Sequence, residues 1–513
     1  MMNHNSRHIA TQLLRRIGLP RPHCGYVYPR FISSLEKKEW STPLAKTIAE
    51  AIKTTGPISI ASYMRQVLTN PEAGYYTTAS SSGGSEVFGR KGDFVTSPEI
   101  TQVFGELIGI WTVAEWIAQG RRSSGVELIE VGPGKGTLMD DILRTIRRFK
   151  EFAQSIETIY LVETSATLRN IQKERLCGSD ATLEETEIGY KGVSKHIGTP
   201  IVWVEDMRLL PYNDKMPFIF AHEFFDALPI HAFESVAQAP DAQQSPSQIM
   251  TPTGPATVKQ DAKLQSSSQP QWRELLVNLN PKSQTSKDEP EFQLSRAKIA
   301  TPTSVVLPEI SERYKALKSK PGSIIEISPE SRIYAADFAR RIGGFTPTQK
   351  PPSRRPGEVP KAGDRQLTQN PKLQPSGAAL IIDYGTTSTV PVNSLRGIRQ
   401  HRKVSPFAYP GQVDVSADVD FTALAEAALD ASEGVEVHGP VDQADFLRMM
   451  GIAERAAQLE KHAKDEETRK RIESGWRRLV DRGPNGMGKV YKALAIVPEN
   501  GGRRRPVGFG GSI

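Results

Sequence analysis

Cysteine is almost missing from this chain: of 513 residues only Cys24 and Cys177 carry a thiol. That leaves no disulfide framework and no cysteine-based metal site. Long apolar runs are missing too. No stretch of about 18 apolar residues occurs, so no transmembrane helix is expected. Acidic residues are absent before Glu36, while the same stretch carries Arg7, Arg15, Arg16, Arg21 and Arg30, and Ile9, Leu13 and Ile17 share one helical face. Such an acid-poor, amphipathic opening has the composition of a mitochondrial transit peptide, and its apolar part is too broken for a secretory signal. Residues 1–33 are therefore expected to direct import and to be removed. Part of the net charge of +7 lies in this leader and part in basic linkers, so a nucleic-acid partner is not expected.

What is present changes character along the chain. Residues 34–125 read as mostly helical, with apolar-periodic runs after Ile58-Ser59-Ile60 and over Gln102 to Ala118. Between them lies a Gly/Ser-rich loop, then the string Gly92-Asp93-Phe94-Val95-Thr96-Ser97-Pro98-Glu99-Ile100, whose packed Asp, Thr, Ser and Pro suggest a turn that caps the next helix. From Val126 the rhythm becomes strand, turn and helix. Val126–Val131, Thr158–Val162, Ile201–Val204 and Phe218–Ala221 are short apolar runs, and Ala378–Ile382, Val435–Val437 and Val490–Val497 could complete the same sheet. The alternation predicts an α/β fold with a doubly wound, Rossmann-like parallel sheet over residues 126–500. Three polar stretches, 236–270, 281–298 and 346–376, are poor in large apolar residues and are read as disordered insertions. Residues 501–513 are read as a C-terminal tail.

The strongest local motif is Glu130-Val131-Gly132-Pro133-Gly134-Lys135-Gly136-Thr137, where an apolar strand runs into three glycines and then a helix. Glycine permits backbone angles and a ligand approach that a side chain would obstruct, so a small-molecule cofactor is expected across Gly132, Gly134 and Gly136. Dinucleotide enzymes use G-x-G-x-x-G. Here the third glycine comes one residue early and Thr137 takes the dinucleotide position. Glu130, just before the first glycine, suits the methionine ammonium group of S-adenosylmethionine better than a pyrophosphate. Glu163, at the tip of the second strand, is placed to accept both ribose hydroxyls. Asp206, at the tip of the third, could accept the adenine amine or remain a solvated loop acid.

The fourth strand runs into His222-Glu223-Phe224-Phe225-Asp226-Ala227-Leu228-Pro229. Glu223 and Asp226 are two carboxylates at the edge where such sheets place chemistry, and together they could grip a guanidinium. Arginine in water stays protonated, so an enzyme that methylates it must aim one nitrogen and take up charge. Taken alone, Glu223 could equally cap a helix and Asp226 form a turn.

At this point the chain resembles the MidA-type family of mitochondrial protein arginine methyltransferases that assist complex I assembly. The resemblance rests on Gly92 to Ile100 with Gln102, Phe104-Gly105-Glu106-Leu107 and Trp111; on the Gly132 loop; on Glu223 to Pro229; and on Ile382-Asp383-Tyr384-Gly385. It continues through Leu395-Arg396-Gly397, His401, Pro410-Gly411, Val419-Asp420-Phe421, Phe446-Leu447, Gly451-Ile452 and Met487-Gly488. It implies S-adenosyl-L-methionine as cofactor, Glu223 and Asp226 as catalytic acids, and as substrate an arginine of a matrix-arm subunit of NADH:ubiquinone oxidoreductase, symmetrically dimethylated in the mitochondrial matrix. His222 departs from the family's usual asparagine and Ala232 from its common glutamine. Two other readings stay open on sequence alone: a non-catalytic assembly chaperone that retains a cofactor pocket, and an NAD-dependent Rossmann enzyme.

Overall fold

The computed structural model describes residues 39–78, 96–237, 248–251, 254–257, 270–284, 286, 289–345 and 372–510. The transit-peptide expectation and the string Gly92 to Val95 lie outside these residues, as do the Ser80–Ser85 loop and most of the stretches 236–270 and 346–376.

A ten-stranded sheet organises the chain. Its main strands are β1 (Val126–Val131), β2 (Ile156–Val162), β3 (Glu184–Thr186), β4 (Gly189–Val193), β5 (Pro200–Val204), β6 (Met216–His222), β7 (Ala378–Thr386), β8 (Val435–Asp442) and β9 (Tyr491–Pro498). They lie in the order β8-β9-β7-β6-β1-β2-β5-β4-β3. The five strands from β7 to β5 run parallel, and antiparallel strands finish both edges. From β1 the chain first moves out to β2 and β5, then returns to β6 and β7 on the other side. That reversal makes the C-terminal end of β1 the switch point of the sheet, where an open α/β fold leaves a crevice.

Both faces are covered, which is why the central strands read as unbroken apolar runs. Leu128 points into the core under helices α3 (Gln102–Ala118) and α4 (Thr137–Ile146), whereas Ile129 and Val131 point into the opposite core under α6 (Pro329–Gly343) and α7 (Phe421–Ala431). Between them in sequence, α5 (Ala166–Cys177) follows β2. Ahead of α3, α1 (Pro43–Thr55) and α2 (Ile60–Thr69) cover a second, five-stranded sheet built from Ile58–Ser59, His231–Val236, Gln271–Leu279, Phe292–Arg296 and Ile324–Ile327.

Three expectations need correction. The stretch 281–298 is not a bare insertion. Phe292–Arg296 pairs with Gln271–Leu279, and Phe292 is fully buried against Tyr63; one apolar residue per strand face suffices where a neighbouring sheet supplies the rest of the core. The helix after the Thr96-Ser97-Pro98 string is capped by Thr101, whose hydroxyl accepts from the Val103 N–H, while Ser97–Ile100 forms its own short helix without a side-chain cap at Thr96. The segment after residue 501 is no free tail: Phe509 is buried against Phe446, and Arg504 forms a two-pronged pair with the buried Glu115.

Candidate active site

The glycine loop sits on the switch point. Gly132, Gly134 and Gly136 take φ of +65°, +52° and +74°, values that cost an L side chain steric strain. The turn is tied down by Gly132 N–H to Val162 O (3.2 Å) and Gly136 N–H to Pro133 O (2.7 Å). A side-chain carbon on Gly132 would lie 2.8 Å from Cδ2 of Phe224. The first glycine is therefore required by Phe224, which bridges the loop to the acid-bearing turn.

Glu130 is 3% exposed, and its Oε2 has no hydrogen-bond partner among the described residues. Burial and the neighbouring Glu163 push its carboxyl up to about 8. A buried acid with an open oxygen is a site for a cation, and an ammonium group fits. Glu163 is held by the Ser165 N–H on Oε1 (2.8 Å) and by Gln172 Nε2 on Oε2 (3.1 Å). Gln172 is itself fixed, with Nε2 on the Gly134 carbonyl (2.7 Å) and Oε1 receiving the Trp203 indole N–H (2.9 Å). Burial raises the Glu163 carboxyl to about 7 against these donors. Asp206 is spent locally: it accepts from the Arg208 N–H (2.8 Å) and from the Arg208 guanidinium, capping the turn Met207–Leu209. Burial raises its carboxyl, but the Arg208 bonds win and hold it below the usual range.

At the end of β6 the chain makes a tight turn. Glu223 adopts φ +49°, a conformation that costs a non-glycine residue about 1 kcal/mol or more and gathers at functional sites. Asp383 of β7 holds the turn in place: its Oδ2 accepts the N–H groups of Phe224 (3.0 Å), Phe225 (2.8 Å) and Asp226 (3.3 Å), and its Oδ1 that of Tyr384 (2.8 Å). Three backbone donors on one oxygen fix the turn that carries both acids. Glu223 Oε1 accepts the Tyr491 hydroxyl (2.9 Å), and the Ser97 N–H also donates to this carboxylate. Burial, then the charge of Asp226, raises Glu223 to about 8. Asp226 is raised to about 6 by burial, with Arg396 opposing. His222 is lowered to about 3 by burial, so its 3.6 Å approach to Glu223 is not an ion pair at neutral pH. Its ring instead packs 5.0 Å from Phe104. Ala232 is buried in the second sheet, where it pairs with Leu275.

The structure thus brings Glu130, the glycines, Glu163, Glu223 and Asp226 to one edge of the sheet. Sequence reasoning missed Tyr491, Ser97, Asp383, Arg396 and Gln172. Asp383 and Arg396 stood in quoted strings, yet nothing local assigned them a contact. Tyr491 lies 268 residues from its partner, beyond any local signal.

Residues 107–441 match the family described as "Putative S-adenosyl-L-methionine-dependent methyltransferase". The mitochondrial protein arginine methyltransferase NDUFAF7 of Bos taurus is 34% identical over 462 residues, covering 89% of this chain and 84% of the relative. The Homo sapiens protein of that name is 32% identical over 469 residues, covering 90% and 86%. A crystal structure of a Burkholderia thailandensis protein bound to S-adenosyl-homocysteine superposes with a TM-score of 0.59 at 20% identity, covering 92% of this chain and 94% of that one.

Proposed function

Because the chain belongs to this family of S-adenosyl-L-methionine-dependent methyltransferases, we propose that it methylates arginine in a protein substrate, with Glu223 and Asp226 as the acids that hold the guanidinium. The observation that carries the reading is the pair itself: two carboxylates on one strained turn, Asp226 buried and Glu223 with a side chain 10% exposed, joined to the cofactor loop through Phe224. The names of the relatives support protein arginine as the acceptor and the mitochondrion as the compartment.

In this reading Gly132, Gly134 and Gly136 let the cofactor approach the backbone, Glu130 receives its ammonium group, Glu163 the ribose hydroxyls and Asp206 borders the adenine. When bound, S-adenosylmethionine supplies a methyl group on a sulfonium sulfur. The chain supplies the rest. Glu223 and Asp226 orient one guanidinium nitrogen and stabilise the cation in a low-dielectric site, where preorganised charge acts far more strongly than in water. A carboxylate whose proton affinity is raised, as burial raises Glu223, is also the better proton acceptor near neutral pH. Following the family resemblance, we take the acceptor to be an arginine of a matrix-arm subunit of complex I, the product a symmetric dimethylarginine, and residues 1–33 the leader that carries the chain to the matrix.

Glu223→Gln and Asp226→Asn test this. The amides keep size and shape but cannot neutralise the cation, and charge-assisted bonds are roughly twice as strong as neutral ones. Radiolabelled methyl transfer to the purified acceptor subunit should fall by about 100-fold or more in each, with S-adenosylmethionine affinity by calorimetry unchanged. Near-normal turnover in both variants would assign these acids to structure.

A further inference from the structure

Glu223 and Asp226 meet different surroundings. Glu223 is held by two neutral donors, the Tyr491 hydroxyl and the Ser97 N–H, and no cation stands among the groups acting most strongly on it. Asp226 is held by the Ala227 N–H, and the positive charge of Arg396, itself bonded to Asp418, acts on it from beyond hydrogen-bonding reach. Arg396 comes from a separate three-stranded sheet. Its Nη1 donates to Asp418 Oδ1 (2.5 Å) and to the Ser394 carbonyl (3.3 Å), and its plane stacks over Tyr384, 4.8 Å from the ring centroid. Tyr384 packs in turn on Tyr491, ring centroids 4.1 Å apart and planes tilted by 37°. The Nη2 of Arg396 is buried and has no acceptor among the described residues.

We propose that Arg396 is a positioning residue that splits the acid pair, holding Asp226 as a fixed carboxylate and leaving Glu223 as the acid that meets the substrate guanidinium and takes its proton. The inference rests on the reading of the pair given above.

The reason is charge crowding. Glu223, Asp226, Asp383, Asp414 and Asp418 all act on this small volume, and like charges in a low-dielectric site cannot all ionise. The groups in electrostatic reach of Asp226 are Arg396 and Asp418 from the three-stranded sheet and the loop after it, Asp383 and Tyr384 from β7, Glu223 from its own turn, and Tyr76 from the N-terminal region. Of these, Arg396 is the one cation, so it decides which acid keeps its charge. Stacked on Tyr384 and anchored to Asp418, it cannot follow Asp226 into the substrate site and so acts as a stationary counter-charge. Glu223, without such a partner, stays protonated until a guanidinium arrives and ionises it. In the transfer the substrate nitrogen bonds the methyl carbon as the carbon–sulfur bond breaks, the electron pair remaining on sulfur. The nitrogen's proton passes to Glu223, so the methylated guanidinium keeps a single positive charge.

The test is a proton count. A blocked Gly-Arg-Gly peptide is titrated into the full-length protein at pH 7.5, in buffers of different ionisation enthalpy. Native protein should release about one proton, from Glu223, and Arg396→Met about two, because Asp226 is then also protonated before the peptide binds. Arg396→Lys, which keeps the cation, should return to the native count. Arg396→Met should also move the pH profile of methyl transfer to higher pH, and Arg396→Gln gives the same comparison if the methionine variant does not fold. An unchanged proton count and pH profile in the neutral variants would overturn the role of Arg396 alone. A native protein that binds S-adenosylmethionine but not the peptide would overturn the guanidinium reading of the pair, and this inference with it.

Discussion

Glu130 is the residue with the most to lose without a ligand. Its carboxyl titrates near 8 in the folded chain and at about 4.3 in an unfolded one. Between those values the folded state binds a proton that the unfolded state does not, so this residue's contribution to stability falls as pH rises through the window and is fully lost above it. Glu130→Gln removes the titration. Without cofactor, the melting temperature of the variant relative to the native protein should therefore climb by a few degrees between pH 5.5 and 8.5. A constant difference across that range would show that Glu130 is not buried uncharged. Affinity for S-adenosylmethionine should move the other way, weakening roughly 10- to 100-fold, the range for a lost hydrogen bond to a charged group. Glu130 was legible in the sequence because it lies just before the glycine turn, and Glu163 because it stands at the tip of the strand after it. Ser97 and Tyr491 were not, since their contact with Glu223 is made only when distant elements pack.

At the scale of elements, the glycine loop and the acid-bearing turn behave as one unit. Gly132 takes positive φ, and any Cβ there collides with Phe224. Gly132→Ala should cost about 2–4 kcal/mol, combining left-handed strain with overpacking. Denaturant unfolding would measure it. Phe224→Leu in the same chain should return part of that loss, and additive effects would show that the two do not touch. The loop and the turn could each be picked out from the sequence, the first by spacing and the second by paired acids. Their coupling could not, because it depends on β1 and β6 lying side by side, with Val131 opposite Ala221.

At the scale of the molecule, residues remote in sequence finish the site. Arg396 arrives from a separate small sheet, and β9 brings Tyr491 back beside β7. The stretch 346–371 is poor in large apolar residues and so has little surface to bury. Its flanks meet, since a Cβ on Gly344 would lie 3.3 Å from the Cβ of Lys372. Replacing residues 347–370 with a short Gly/Ser link should leave melting temperature and cofactor affinity unchanged, because loop closure changes by only about 0.6 kcal/mol per doubling of length. A large fall in melting temperature would assign packing to that segment. Residues 372–376 should be kept, as Leu373 N–H bonds Asp214 and Ser376 N–H bonds Ile342.

By itself the sequence determined the α/β class, the strands around the glycine loop and the carboxylates at their tips. Apolar runs, glycines and acids next to strand ends are local signals, and backbone sterics and burial act on them within a few residues. Only the tertiary structure decided what surrounds each carboxylate: an open oxygen on Glu130, Arg208 on Asp206, Tyr491 and Ser97 on Glu223, the charge of Arg396 acting on Asp226. A carboxylate's charge is set by burial and by whichever donors and cations pack against it, and most of these come from segments far along the chain.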